Sequence, residues 1–239
     1  MARLELPVLP PYLYRYRSLT RRDESLRDEI RSIRDAYLYC PTFQRMNDAM
    51  EGFYDPADGL RGTEDFKQIV RRIYDAKSDH GIACFSETNE NELMWAHYAD
   101  NYAGICIRYK TQGLMDGLPG DVRLVRVAYG DAPPPVSRDD ALNSRSAAIK
   151  ILSHKKANWA YEREWRVLGR IGENGYDDER VVTGIYFGSR IPHMYREQLL
   201  EQLDDLRIEF FNMSVEGYKH VFKPVDVDRP RRRRAVRRA

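Results

Sequence analysis

The chain has 239 residues, with 39 Lys plus Arg, 37 Asp plus Glu and 42% apolar residues. Fifteen Gly and twelve Pro are too few for a collagen-like or low-complexity chain. An aromatic content of 11%, with 16 Tyr, is too rich for a wholly disordered one. No apolar run reaches the roughly 18 residues that a membrane helix needs, and the N-terminal MARLELPVLPPYLYRYR lacks the apolar core of a signal peptide. A soluble, cytoplasmic protein is expected. The near-neutral total hides an asymmetry. Residues 229–239 hold seven arginines and no acid, which leaves 32 bases against 37 acids, net −5, in residues 1–228. A single α+β domain over 1–228 and a disordered Arg-rich tail over 229–239 are expected. Such a tail fits either contact with nucleic acid or a solvated terminus.

In chain order, Tyr12 to Ser18 alternates and is aromatic-rich, which predicts a strand. Thr20 reads as the N-cap of a helix that repeats Leu26, Ile30 and Ile33 at helical spacing. A second helix follows Thr63, with Phe66, Ile69, Val70 and Ile73 on one face. Gly81 to Ser86 reads as a buried strand, Asn91 to Ala99 as a helix and Gly104 to Tyr109 as a strand. Val122 to Tyr129 alternates and predicts another strand. The three prolines between Gly130 and Asp140 make a stiff surface connection. Asp139 to Asn158 reads as one helix with Leu142, Ile149 and Leu152 inside. Glu164 to Ile171, Val181 to Phe187, Arg207 to Phe211 and His220 to Val225 are further strand candidates. Pro192 opens a helix carrying Met194, Leu199, Leu200 and Leu203. Strands and helices do not alternate strictly, so the predicted class is α+β, with mixed, largely antiparallel sheets flanked by helices.

No GxGxxG, Walker loop, HExxH or GxSxG motif is present. Cys40, Cys84 and Cys106 show no paired spacing and read as buried free thiols. The five histidines are scattered, and no metal site is expected. Three segments set polar groups on one face of an apolar element. In Tyr14 to Ser18 a strand points Arg15 and Arg17 one way and Tyr14 and Tyr16 the other. Paired guanidiniums fit a phosphate-bearing ligand, and they also fit a solvent-facing strand. In Cys84 to Tyr98 an apolar strand delivers Ser86 and Glu87 to a sheet end. Trp95 and Tyr98 follow three residues apart, as a stacking platform or as core aromatics. In Trp159 to Val167 a strand would put Glu162, Glu164 and Arg166 on one face and Trp165 and Val167 on the core face. Its carboxylates at i and i+2 would then lie about 7 Å apart.

The segments YRYRSL, FQRMNDAME, CFSETNENELMWAHYADNYAGICIRY and WAYEREWRV occur in this order. Together they resemble the bacterial family of domain of unknown function 2971, from about Tyr12 to Gly188. The order of the pieces is also similar to ADP-ribosyltransferase folds. Those begin with a strand bearing Arg or His, then a helix and a segment like Phe43 to Glu51. A Ser-x-Ser/Thr pattern follows, resembled by Ser86-Glu87-Thr88, and then a Glu-x-Glu pair, resembled by Glu162-Arg163-Glu164. Glu87 departs from the small central residue of the Ser-Thr-Ser form.

That second resemblance implies an ADP-ribosyltransferase-like fold with NAD as donor and no metal. Glu164 would hold the ribose 2′-hydroxyl and offset the developing cation, and Glu162 would orient the acceptor. Arg15 or Arg17 would hold the pyrophosphate or the adenosine-side ribose, Ser86 would lie by the nicotinamide ribose, and Tyr98 or Trp95 would stack on nicotinamide. The acceptor would be a protein guanidinium or nucleic acid, and the role that of a toxin or defence effector. On this site assignment the side chains of Arg15 or Arg17, Ser86 and Glu164 should converge on one cleft. Two rival readings remain: a non-catalytic nucleotide- or nucleic-acid-binding module, and a phosphoesterase or nuclease using Glu162, Glu164 and Asp48 with Mg²⁺.

Overall fold

Alternating apolar residues from distant parts of the chain assemble one eight-stranded sheet in a computed structural model that describes residues 9–21 and 24–226. From one edge to the other its strands are Lys219–Pro224, Glu209–Glu216, Val182–Phe187, Ile105–Lys110, Tyr12–Arg17, Gly81–Ser86, Glu164–Gly169 and Arg123–Arg126. Every neighbouring pair is antiparallel except Val182–Phe187 with Glu209–Glu216, which is parallel and carries the Pro192-initiated helix His193–Gln202 as its crossover. The fold is therefore α+β with a mostly antiparallel sheet and flanking helices. The Arg-rich tail expected at 229–239 lies outside the described residues. Among the described residues, no helix is long and apolar enough to cross a membrane.

The two-residue period of the strands divides the sheet into two faces. One face carries Leu13, Phe85, Ile105, Ile107, Trp165, Val167, Ile185 and Phe187, all buried. It is covered by the Leu26–Arg34 helix through Ile30 and Ile33 and by the His193–Gln202 helix through Leu199. The other face is aromatic. Tyr16, Cys106 and Tyr186 pack there with Met94 and Trp95 of the Glu92–Tyr98 helix. A separate layer joins the Phe66–Ser78 and Ser144–Leu152 helices through Ile69, Ile73, Ala147 and Ile151. Lys77, on the first of these helices, is buried among Phe43, Tyr54 and Tyr74 and donates to the Gly52 carbonyl at 2.6 Å. It thereby ties the 43–54 segment to the helix.

Several element boundaries differ from the sequence expectation, each for a local reason. Ser25, not Thr20, caps the Leu26–Arg34 helix by accepting from the Asp28 amide, while the Thr20 hydroxyl donates to Asp100 at 2.6 Å. The single helix expected over 139–158 is broken. Ser137 and Asp140 form a capping box for the short turn Arg138–Ala141, and Asn143 then caps a new helix, Ser144–Leu152. Leu142, expected inside, falls between the two and is 83% exposed. Val122 to Tyr129 divides at Val127: Arg123–Arg126 joins the main sheet, and Ala128–Gly130 pairs in parallel with His154–Lys156. The strand Tyr37–Cys40 and its partner Gly172–Gly175 carry no sequence alternation strong enough to mark them.

Close strand packing makes one glycine a test of the assembly. A Cβ at Gly104 would lie 2.2 Å from the Arg17 carbonyl oxygen, whereas one at Gly120 would meet nothing within 4 Å. Gly104→Ala is expected to destabilise by about 1–3 kcal/mol, read as a fall in melting temperature by circular dichroism. Gly120→Ala should stay close to the parent, and equal melting temperatures for both variants would contradict this packing.

Candidate active site

The most densely charged part of the interior is assembled on the aromatic face of the sheet. Tyr14, Ser86 and Glu164 are cross-strand partners in one row, and Cys84 and Arg166 are partners in the next. Just before the Glu164–Gly169 strand, residues Ala157–Glu162 form a 3₁₀ turn closed by Arg163, whose φ of 46° lies in the left-handed region. This reversal returns the Glu162 side chain to the face that Glu164 uses. The turn is held at three points. Ser86 Oγ donates to the Glu162 carbonyl at 2.7 Å, Asn91 Nδ2 donates to the Tyr161 carbonyl at 2.9 Å, and the Glu164 amide donates to Tyr129 Oη at 2.8 Å.

These elements hold a continuous chain of ionic hydrogen bonds. Arg166 Nη1 and Nη2 donate to the two oxygens of Glu51 at 2.6 and 2.8 Å, and Nη1 also reaches the Leu152 carbonyl at 2.6 Å. Arg166 Nε and Nη2 donate to the two oxygens of Glu164 at 2.8 and 3.1 Å. Lys155 Nζ bridges Glu164 Oε2 at 3.4 Å and Glu162 Oε2 at 2.6 Å. Tyr98 Oη donates to Glu162 Oε1 at 2.6 Å. All five charged groups are buried, Arg166 completely. Three carboxylates face two cations, so with all of them ionised the cluster carries one surplus negative charge.

The environments of the two neighbouring carboxyls differ. Burial raises the Glu162 pKa, an effect that the adjacent Lys155 only partly opposes. Burial would raise Glu164 as well, but the charges of Arg166 and Lys155 prevail and hold it down at about 2. Burial would lower the Lys155 pKa, and Glu164 and Glu162 together raise it instead. Tyr98 is raised by burial and by the Glu162 charge, so its hydroxyl stays a donor. The two neighbouring carboxyls are therefore shifted in opposite directions.

Two cavities open on the cluster. One, of about 70 Å³, is lined by Tyr14, Tyr16, Met94, Tyr98, Glu162 and Glu164 among others. The second, of about 120 Å³, is lined by Asp48, Met50, Phe53, Pro133, Pro134, His154 and Lys156. Glu51 and Lys155 line both, so the two cavities meet at the charged cluster.

The structure brings some predicted site residues together and separates others. Glu162, Glu164 and Tyr98 meet in the 70 Å³ cavity. Ser86 lies beside them, but it is fully buried and its hydroxyl is spent on the Glu162 carbonyl, so it positions the turn and does not face a ligand. Trp95 is fully buried edge-on to Tyr16, with its Nε1 donating to the Asn89 carbonyl, and it offers no free ring face for stacking. Arg15 and Arg17 do not converge with Glu164. Strand alternation sends them to the opposite face of the sheet, into a different cavity. Glu162 reaches its position from the 3₁₀ turn, not from the strand, while Trp165 and Val167 take the core face as expected. Glu51 and Lys155 complete the cluster. Glu51 ends the FQRMNDAME segment without a role assigned to it there, Lys155 lies in none of the segments singled out, and only the tertiary fold joins the two to Arg166 and Glu162. Among the described residues no three His, Cys, Asp or Glu side chains gather as a metal site, and the oxygens of Glu162 and Glu164 are taken by Lys155, Arg166 and Tyr98.

Removing the guanidinium tests the cluster. Arg166→Met leaves Glu51 and Glu164 buried without their main partner, at a cost of about 3–5 kcal/mol near neutral pH. In the parent, the stability that Glu164 contributes is present above the ordinary carboxyl pKa and is lost as pH falls through about 2. Glu162, being raised, acts in the opposite sense: its contribution is present at low pH and lost as pH rises through its raised pKa. Without Arg166 burial dominates Glu164 too, so the variant should gain stability from pH 7 to pH 5 relative to the parent. Urea unfolding at both pH values checks this, and parallel profiles for the two proteins would refute it.

Residues 94–167 match the family model described as protein of unknown function (DUF2971). The matched stretch begins in the Glu92–Tyr98 helix and ends in the Glu164–Gly169 strand, so it includes Tyr98, Lys155, Glu162, Glu164 and Arg166 and leaves out Glu51. No curated protein and no solved structure matches the chain. Over these residues, narrower than the Tyr12 to Gly188 expected from the motifs, the chain is similar to the DUF2971 family.

Proposed function

We propose that the chain is an ADP-ribosyltransferase that takes NAD as donor and a protein or nucleic-acid group as acceptor, with Glu162 as its charge-stabilising residue. The observation that carries this reading is the buried cluster of three carboxylates and two cations, set beside Tyr14, Tyr16 and Tyr98. In the reaction the bond from ribose C1′ to the nicotinamide nitrogen breaks and its electron pair leaves with nicotinamide. Positive charge then builds on the ribose until the acceptor nucleophile bonds to C1′. A surplus negative charge already fixed in a dry site stabilises that transition state without reorganisation.

Because Glu164 faces both Arg166 and Lys155 whereas Glu162 faces Lys155 and the neutral Tyr98 hydroxyl, the cation-stabilising role passes from Glu164 to Glu162, and Glu164 holds Lys155 in place. Tyr98 orients Glu162 and offers its ring to nicotinamide. The adjoining cavity, with Met50, Phe53 and Pro134 on its wall and Lys156 at its edge, suits the remainder of a dinucleotide. Lys156 takes the phosphate role first expected of Arg15 or Arg17. A second reading, nucleotide binding without catalysis, is favoured by one specific observation: every oxygen of Glu162 and Glu164 already has a hydrogen-bond donor.

The test is release of nicotinamide from NAD by the purified chain, with protein and nucleic-acid acceptors, in the presence and absence of a chelator. The expected result is release unaffected by the chelator and reduced about 10²–10³-fold in Glu162→Gln, with NAD binding retained in the variant. NAD binding without release by the parent would favour the binding module. Neither NAD binding nor nicotinamide release with any acceptor, or activity on phosphoesters that the chelator abolishes, would overturn the transferase reading.

A further inference from the structure

The aromatic face of the sheet continues past the carboxylate cluster toward the Lys219–Pro224 edge. By register, Tyr14 pairs with Arg108 on the next strand, and Tyr12 with Lys110. Farther out, Tyr186 pairs with Phe211, and Phe211 with Pro224 of the edge strand. The Glu92–Tyr98 helix packs on Tyr16, Tyr186 and Met213. Beyond that contact the rings keep exposure: Tyr12 is 37% exposed, and Tyr14 and Phe211 are half-buried.

A cation sits among these rings. The Arg108 guanidinium lies 5.1 Å from the Tyr12 ring centroid and 5.7 Å from that of Phe211. It is fixed there by Glu209 Oε2 at 2.6 Å and the Tyr186 hydroxyl at 3.0 Å. Tyr186 in turn stacks on Phe211 with centroids 4.6 Å apart, which braces the half-buried ring. Lys110 adds an exposed cation beside Tyr12. Rings interleaved with cations on one sheet face suit stacked bases. The phosphates need a stronger positive charge, because residues 1–228 are net −5. The sequence supplies it next to this face. Arg229, the first of seven arginines in residues 229–239, is five residues past Pro224. Five residues span at most about 18 Å, so the tail joins the chain within reach of a strand seated on Phe211.

We propose that this face binds a single-stranded nucleic acid, whose bases stack on Tyr12 and Phe211 around Arg108 and whose phosphates contact the tail arginines. Base faces are open only in a single strand, so a duplex meets the tail but not the rings. Tyr14, which also lines the 70 Å³ cavity, connects the bound strand to the carboxylate cluster. Binding of the strand does not rest on the transferase reading and is measured without NAD.

Fluorescence anisotropy of the full chain with labelled, mixed-sequence single-stranded DNA, single-stranded RNA and the matching duplexes tests it. Single strands are expected to bind at least about tenfold more tightly than duplexes, and the tighter of the two single strands identifies the sugar. Tyr12→Ala and Phe211→Leu should each weaken binding about fivefold or more, the factor for one lost base stack, with the salt dependence unchanged. Tyr12 is exposed, so its variant provides the measurement if Phe211→Leu does not fold. Replacing all seven tail arginines by Gln should instead flatten the salt dependence, whose logarithmic slope is about −0.7 per phosphate contacted. Equal affinity for duplex and single strand, equally tight binding of poly-L-glutamate, or affinity unchanged in both aromatic variants would reduce the interaction to charge contact by the tail and overturn the proposal. Absence of binding by any strand would overturn it as well. So would dimerisation in sedimentation that Tyr12→Ala abolishes, which would give this face to a second copy of the chain.

Discussion

A guanidinium with no exposure to solvent sits at the junction of the main sheet, the 43–54 segment and the Ser144–Leu152 helix. Arg166 binds Glu51 from the segment, Glu164 from its own strand and the Leu152 carbonyl from the helix. A buried charge is tolerated only where its hydrogen bonds are nearly all made. The elements that supply those partners must therefore arrive in register, or the interior is left with unpaired charge. The 43–54 segment has little regular structure of its own beyond a single 3₁₀ turn, Phe43–Arg45. What orders it is Lys77 at one end, among Phe43, Tyr54 and Tyr74, and Arg166 at Glu51. The cavity walls that carry Asp48, Met50 and Phe53 inherit their position from those two cations.

The period of two along each strand has a larger consequence than core formation. It places polar groups on both faces of the same sheet, a few residues apart. Tyr14 and Tyr16 face the carboxylate cluster, while Arg15 and Arg17, interleaved with them, face the cavity beneath the Leu26–Arg34 helix. One strand thus serves two separate chemical environments. The first is acidic, with its cations already committed. The second pairs Arg17 with Glu29 and Arg31 with Glu173, while Arg15 donates to the Tyr39 carbonyl.

Much of the architecture was legible from the residues. The strand at Tyr12, the strand at Gly81, the capped helix at Asn91 and the helix opened by Pro192 follow from alternation, apolar runs and capping residues, which act over a few positions. The failures are informative for the same reason. Thr20 carried a plausible capping pattern, yet Ser25 is the residue at the helix entry, and Asn143 interrupts a helix whose apolar spacing alone read as continuous. Local side-chain competition for backbone amides decided both cases. The candidate site was legible in part. The density of Trp, Tyr and charge around Glu162 and Glu164 marked the segment that carries the buried cluster, and of the pair Trp95 and Tyr98 it is Tyr98 that lines the adjoining cavity. Trp95 itself was claimed by the aromatic core.

By itself the sequence determined that this is an α+β chain, that Glu164 and Arg166 share a strand face opposite Trp165 and Val167, and that Arg15 and Arg17 oppose Tyr14 and Tyr16. All of these are consequences of backbone period, which reads out locally. It did not determine which face of one strand meets which face of another. The tertiary structure decided that Glu164 and Ser86 are register partners, that a left-handed Arg163 turns Glu162 back beside Glu164, and that Glu51 and Lys155 close the cluster. Those outcomes depend on strand order and on charge satisfaction across more than a hundred residues of separation, a balance of burial and pairing that no short stretch of sequence records.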